Sequence, residues 1–245
     1  LTGNLERLTK ENYGSFALGL HGPDLLFPYR PLTNNKTHAI GYAIHERPAG
    51  DFFTKAAKIY AARGGRTADE AYLAGFLCHF ALDSEGHPVV NSEMKAKGLS
   101  HTEIESAFDR YLLLNDGREP LNTDLTAHIR VNGVTAGIAA AYLGVNERRA
   151  KKALRSVRFY NGLLDSGSRF TRGLVTALLK ISGMWNIMHG MMMPLTIEDK
   201  WKDGIAGLEK AYAAATDKAV RLIENYDGYL AGRCALSAEL ERHFE

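Results

Sequence analysis

Three imidazoles and two carboxylates fall between positions 79 and 105, as His79-x-x-x-Asp83-x-x-x-His87 and then His101-x-x-x-Glu105. A spacing of four is just over one helical turn, so His79 and Asp83 project from one helix face, and His101 and Glu105 from one face of another. Imidazole and carboxylate without cysteine is the donor set of a hydrolytic zinc ion rather than a structural finger, and a catalytic ion keeps one position for water. One His-x-x-x-Asp pair is weak evidence, since such pairs also decorate surfaces. Two pairs plus His87 in so short a window point to metal, with Asp83 between two histidines as a natural bridge between ions.

Neighbouring residues of similar chemistry have simpler readings. Cys78 adjoins His79, but successive helical residues point about 100° apart, so it reads as a buried apolar cysteine. Glu85, Glu103 and Asp109 are out of phase with the ligand pairs or lie beyond them; Asp109, four residues past Glu105, is placed to orient an imidazole. His128, His189 and His243 read as structural histidines. The run Met191-Met192-Met193 reads as an adaptable apolar helix end, because consecutive side chains cannot converge on one ion. Arg148, Arg149, Lys151 and Lys152 read as a solvated helix face.

The elements that must position these groups are helical. Alanine, leucine, glutamate and lysine recur at three-to-four-residue spacing, and alternating β-branched runs are nearly absent, which predicts an all-α fold over one domain, residues 1–245. Helices are expected at Asn4–Leu18, Asp51–Arg63, Thr67–Ser84, Thr102–Leu112, Thr123–Leu143, Glu147–Leu164, Arg169–Met192 and Thr196–Leu230. Gly86 and Pro88 are expected to end the third, and Gly22–Arg47, Pro88–Leu99 and Asn115–Asn122 to be non-helical. The 245 residues are 45% hydrophobic and 24% charged with a net charge of +2, so no basic surface argues for stable nucleic-acid binding. Two cysteines exclude a disulfide framework. No basic-then-apolar signal peptide and no membrane-spanning apolar run is visible; an opening Leu1 rather than Met leaves room for a removed segment, so the compartment stays open between cytoplasmic and secreted.

The stretch Gly75-Phe-Leu-Cys-His79-Phe-Ala-Leu-Asp83-Ser-Glu-Gly-His87-Pro, followed by His101-Thr-Glu-Ile-Glu105, resembles the core of the bacterial zinc-dependent phospholipases C. Upstream, Gly22-Pro23-Asp24 resembles that family's Gly-Pro-Asp element, and Ala43-Ile-His45 followed by Phe52-Phe53 its next histidine. The agreement in order and spacing runs over roughly Gly14 to Tyr111. The resemblance implies an all-α fold shared with single-strand zinc nucleases. It implies Asp24, His45, His79 and Asp83 around one zinc, and His87, His101 and Glu105 around a second. A third ion, bridged by Asp83, would need an upstream histidine and the N-terminal amine; no histidine precedes His21, so that site is lost, completed by a segment absent from this chain, or served by His21 or His38 in place of the usual ligand. Without the resemblance Asp24 reads equally as a turn residue and His45 as a hydrogen-bonded core histidine.

The reaction so implied is phosphodiester hydrolysis, with Asp24 orienting or deprotonating a zinc-activated water and phospholipid as substrate, met in transient contact at a membrane surface. Phe27, Tyr29, Phe52, Phe53 and Tyr60 are either the mouth of such a site or core. A single-strand nuclease and a non-catalytic metal-binding protein are the alternatives.

Overall fold

The computed structural model describes residues 3–31, 33 and 35–244. Among them the fold is all-α, with no strand. In chain order the helices are α1 (Gly3–Glu11), α2 (Tyr13–Gly19), α3 (Lys36–His45), α4 (Ala49–Ala62), α5 (Thr67–Lys97), α6 (His101–Asn115), α7 (Gly133–Leu143), α8 (Glu147–Leu164), α9 (Arg169–Ile181), α10 (Trp185–Met188) and α11 (Lys202–Leu230), with short 3₁₀ turns such as Gly22–Leu26 between them.

The chain divides into two compact units, Leu1–Glu85 with His128–Val157 and Ala214–Glu245, and Gly86–Ala127 with Arg158–Ala213. The first is built around Tyr72, Phe76 and Phe80 of α5, packed with Phe53 of α4, Ile138 of α7, Leu222 and Tyr226 of α11, and Phe244. Each large apolar side chain buried here contributes roughly 1.5–3 kcal/mol. The second has its own smaller core of Val90, Ile104, Ala107, Phe108, Trp201, Ile205 and Leu208. Within the first unit α2 and α5 touch backbone to backbone: a Cβ on Gly75 would run into the Phe16 carbonyl, and one on Gly19 into that of Tyr72. That close approach holds the 3₁₀ turn following α2 against α5.

Several boundaries differ from the sequence expectation, each for a local reason. The helix expected over Asn4–Leu18 breaks at Asn12, where the Leu8 carbonyl accepts from both the backbone and the side-chain amide of Asn12 (3.0 Å each). The stretch Gly22–Arg47 is not all loop: Asn35 caps α3 by accepting from the Thr37 and His38 amides, and His45 becomes its last residue. Asn132 and Thr135 form a capping box that starts α7 at Gly133 rather than Thr123, leaving His128 in a turn. Gly183, at φ 70°, follows the end of α9 well short of Met192.

The largest departure is α5, which runs through Gly86 and Pro88 to Lys97. Proline has no N–H for the carbonyl four residues earlier, and that carbonyl, on Ser84, accepts instead from Arg242 Nη2 at 3.1 Å. The actual stop is Gly98, at φ 67°, whose amide donates to the Met94 carbonyl.

Candidate metal centre

Asp24, His45 and His79 reach one place from three elements: the 3₁₀ turn Gly22–Leu26, the end of α3 and the middle of α5. One donor atom of each lies within 4.8 Å of the other two. His45 Nε2 is 3.2 Å from Asp24 Oδ1 and 3.6 Å from Asp83 Oδ2, and His79 Nε2 is 3.1 Å from the same Asp83 oxygen. The imidazoles are buried, whereas 47% of the Asp24 side chain is exposed. Two buried rings thus meet a carboxylate that opens to solvent.

The backbone prepares both rings. Gly22 sits at φ 50°, and a Cβ there would collide with the His79 imidazole, so glycine serves the turn and the ring at once. The Gly41 carbonyl accepts from His45 Nδ1 at 3.0 Å, which commits Nδ1 and turns Nε2 toward the carboxylates. Phe27 stacks on His45 at 5.6 Å between centroids, and Phe244 meets it edge-on at 5.4 Å. Burial disfavours the imidazolium of His45, but hydrogen bonds to Asp24 and Asp83 outweigh it and hold its pKa up at about 10. For His79 burial again works against charge, and Asp83 and Asp24 together draw the pKa upward.

A separate group forms in the second unit, where His87, His101 and Glu105 place donor atoms within 4.8 Å of one another. Ser100 caps α6 by accepting from the Glu103 amide, so His101 and Glu105 stand one turn apart at its start, with Nε2 2.9 Å from Oε1. The His87 and His101 rings meet edge-on at 4.9 Å. His87 is buried; the His101 and Glu105 side chains are 37% and 46% exposed.

Zinc fits the donors present. Two imidazoles and a carboxylate converge in each group, the kind of donor set that binds zinc at about 2.0–2.2 Å. The telling atom is His79 Nε2, which is fully buried and 3.1 Å from a carboxylate oxygen, yet makes no hydrogen bond with acceptable angles. A buried polar atom in that state wants a partner, and a cation shared with the facing carboxylates supplies one.

Several of the remaining candidates have other partners. Glu85 pairs with the buried Lys218 (2.8 Å) and with Arg242, and Glu103 with Lys200 and the Trp201 indole. Asp109 lies a turn beyond Glu105 on an exposed part of α6. His21 Nε2 is 2.7 Å from His128 Nε2, and burial followed by the charge of His128 presses the His21 pKa down to about 4. His38 Nε2 contacts the Tyr29 carbonyl at 2.7 Å. Leu1 lies outside the described residues. His189 Nδ1 contacts the Trp185 carbonyl, and His243 Nδ1 that of Glu46. Burial raises the Cys78 thiol to about 11, which keeps it unreactive. Of the five aromatics, Phe27 borders the first group, while Phe53 is core and Tyr60 donates to Glu70. Sequence reasoning missed Gly41 and Phe244; the first carried a signal in its position four residues before His45, the second carried none.

A family model described as zinc dependent phospholipase C matches residues 1–163, a span that includes all seven candidate donors. No curated protein and no solved structure matches the chain.

Proposed function

The chain belongs to the zinc-dependent phospholipase C family, and from that premise we propose that residues 1–245 work as one phosphodiester hydrolase releasing a phosphorylated headgroup from phospholipid. The observation that carries this reading is the convergence of Asp24, His45 and His79, with His79 Nε2 buried and without a hydrogen bond. His45, His79, Asp24 and Asp83 would hold one zinc, and His87, His101 and Glu105 another. Zinc, when bound, polarises a phosphoryl oxygen and lowers the pKa of water from about 15.7 toward 7.

The side chains have distinct work. Asp24 is the exposed acceptor of the first group, so it orients the attacking water and takes its proton. The Gly41 carbonyl, by engaging His45 Nδ1, keeps Nε2 directed at the site. Asp83 faces both imidazoles, fixes their orientation and offsets positive charge. Phe27 and Phe244 keep water from the back of His45. The pair His101–Glu105 offers a half-exposed, anionic counterpart at the second group.

The test couples metal counting by mass spectrometry to parallel assays on short-chain phosphatidylcholine and single-stranded DNA. Two ions per chain with hydrolysis of the lipid are expected. Turnover of DNA alone would make the chain a nuclease. A single tight ion with no turnover of either substrate or of a chromogenic diester would make it a non-catalytic metal binder.

A further inference from the structure

Helix α9 carries its apolar side outward. Phe170, Leu174, Leu178 and Ile181 recur at helical spacing and share one face, and they are 81%, 51%, 56% and 84% exposed. The opposite face holds the buried Leu179 and the half-buried Arg172, whose Nη1 donates to the Ser166 carbonyl. A surface helix ordinarily does the reverse, turning its apolar stripe to the core. A contiguous exposed stripe of this kind marks an interaction surface.

The charge beside the stripe selects the occupant. The sequence of α9, RFTRGLVTALLKI, has no acidic residue. At about 100° per residue, Arg169 and Lys180 fall together along one edge of the apolar stripe. Both are exposed, and neither has an acidic partner among the described residues; the Lys180 ammonium instead lies 5.1 Å from the Trp185 ring centroid. A second copy of the chain fits poorly: a helix of 13 residues offers an apolar strip of roughly 20 by 10 Å, against the ~800 Å² per partner of a stable interface. A lipid surface has no such minimum. A short helix with an apolar face and flanking cations lies in the headgroup layer with its apolar side about 5–10 Å deep, and no helix of the described residues is long and apolar enough to cross a membrane.

We infer that α9 docks the chain onto the surface of an anionic phospholipid bilayer, with Phe170, Leu174, Leu178 and Ile181 inserted and Arg169 and Lys180 at the phosphates. The choice of lipid rests on the phospholipase reading, whereas α9 itself lies beyond the family match, which ends at residue 163.

Cosedimentation of the full chain with vesicles of phosphatidylcholine, and of phosphatidylcholine mixed with phosphatidylglycerol, tests this without turnover. The wild type is expected in the pellet with the mixed vesicles, each cation strengthening binding roughly fivefold. The double variant Phe170→Ser/Ile181→Ser should lose at least about 100-fold in partitioning, while hydrolysis of a soluble chromogenic diester stays at the wild-type rate. Arg169→Gln/Lys180→Gln should lose only the preference for the anionic vesicles. Wild-type protein left in the supernatant with both vesicles, or a serine variant that pellets equally well, overturns the docking; so does a wild-type dimer that the serine variant dissolves in the absence of vesicle binding. Vesicle binding that survives alongside a chain unable to hydrolyse any diester leaves the docking intact and removes the phospholipase reading.

Discussion

The first donor group draws Asp24 from a 3₁₀ turn, His45 from the end of α3, and His79 and Asp83 from α5, whereas the second needs only α5 and the first two turns of α6. The first is assembled by contacts far apart in sequence, such as Gly22 against His79, and its imidazoles are walled by Phe27 and Phe244. The second is largely local: a serine cap and an i,i+4 pair set two of its three donors. A group held by tertiary packing keeps its geometry before an ion arrives. A local pair on a helix face, with both side chains more than a third exposed, has more freedom to lose on binding. Under the proposed function, the first group would supply the reaction geometry and the second supporting charge.

Removing a donor from each group should show the inequality most strongly. His79→Ala is expected to empty the first group and lower diester hydrolysis by ~10³-fold, the scale of several kcal/mol of Lewis-acid stabilisation. His101→Ala should remove one ion yet cost only about 10–100-fold. Metal content and rate measured on the same samples decide this, and equal losses would erase the distinction.

Gly22→Ala probes the long-range assembly alone. It strains a positive-φ position and pushes on the His79 ring, so a stability loss of about 1–3 kcal/mol is expected. Zinc should weaken at the first group only, as read by denaturant melts and competitive chelation.

Proton linkage sharpens the contrast further. With its pKa near 10, His45 is protonated in the metal-free protein at neutral pH, and zinc must displace that proton. Affinity at the first group should therefore rise about tenfold per pH unit between about pH 7 and 9, which calorimetry in buffers of different ionisation enthalpy will count. The same raised pKa makes protonated His45 stabilising without metal. That contribution is complete below the ordinary imidazole value of about 6.5 and is lost as pH climbs toward 10, so the metal-free melting temperature should fall across that window.

The smallest expected effect concerns α5, which carries donors of both groups. Arg242→Met leaves the Ser84 carbonyl without its side-chain donor and should cost on the order of 1 kcal/mol. A larger loss, together with weaker zinc binding, would show that α5 needs this contact to stay continuous past Pro88.

How much of this was legible follows from the range of each interaction. The pairs His79/Asp83 and His101/Glu105 were readable because helical spacing alone puts four-apart residues on one face. Asp24 and His45 entered the candidate set only through resemblance, since nothing in their local sequence distinguishes a ligand from a turn residue or a core histidine. The helix that delivers His45 was missed because its Asn35 cap lies in a stretch rich in turn-forming residues. The continuation of α5 was missed because Pro88 normally ends a helix, and the side chain that relieves it comes from position 242.

By itself, then, the sequence determined helical class, donor chemistry and the two i,i+4 pairs, all consequences of residue type and periodicity within a few turns. Tertiary structure decided which distant carboxylate meets which imidazole, which ring nitrogen is left to face the site, that His79 Nε2 is buried without a hydrogen bond, and that α9 shows its apolar face to the outside. Those depend on how elements pack, and packing joins residues whose separation in sequence carries no periodic signal.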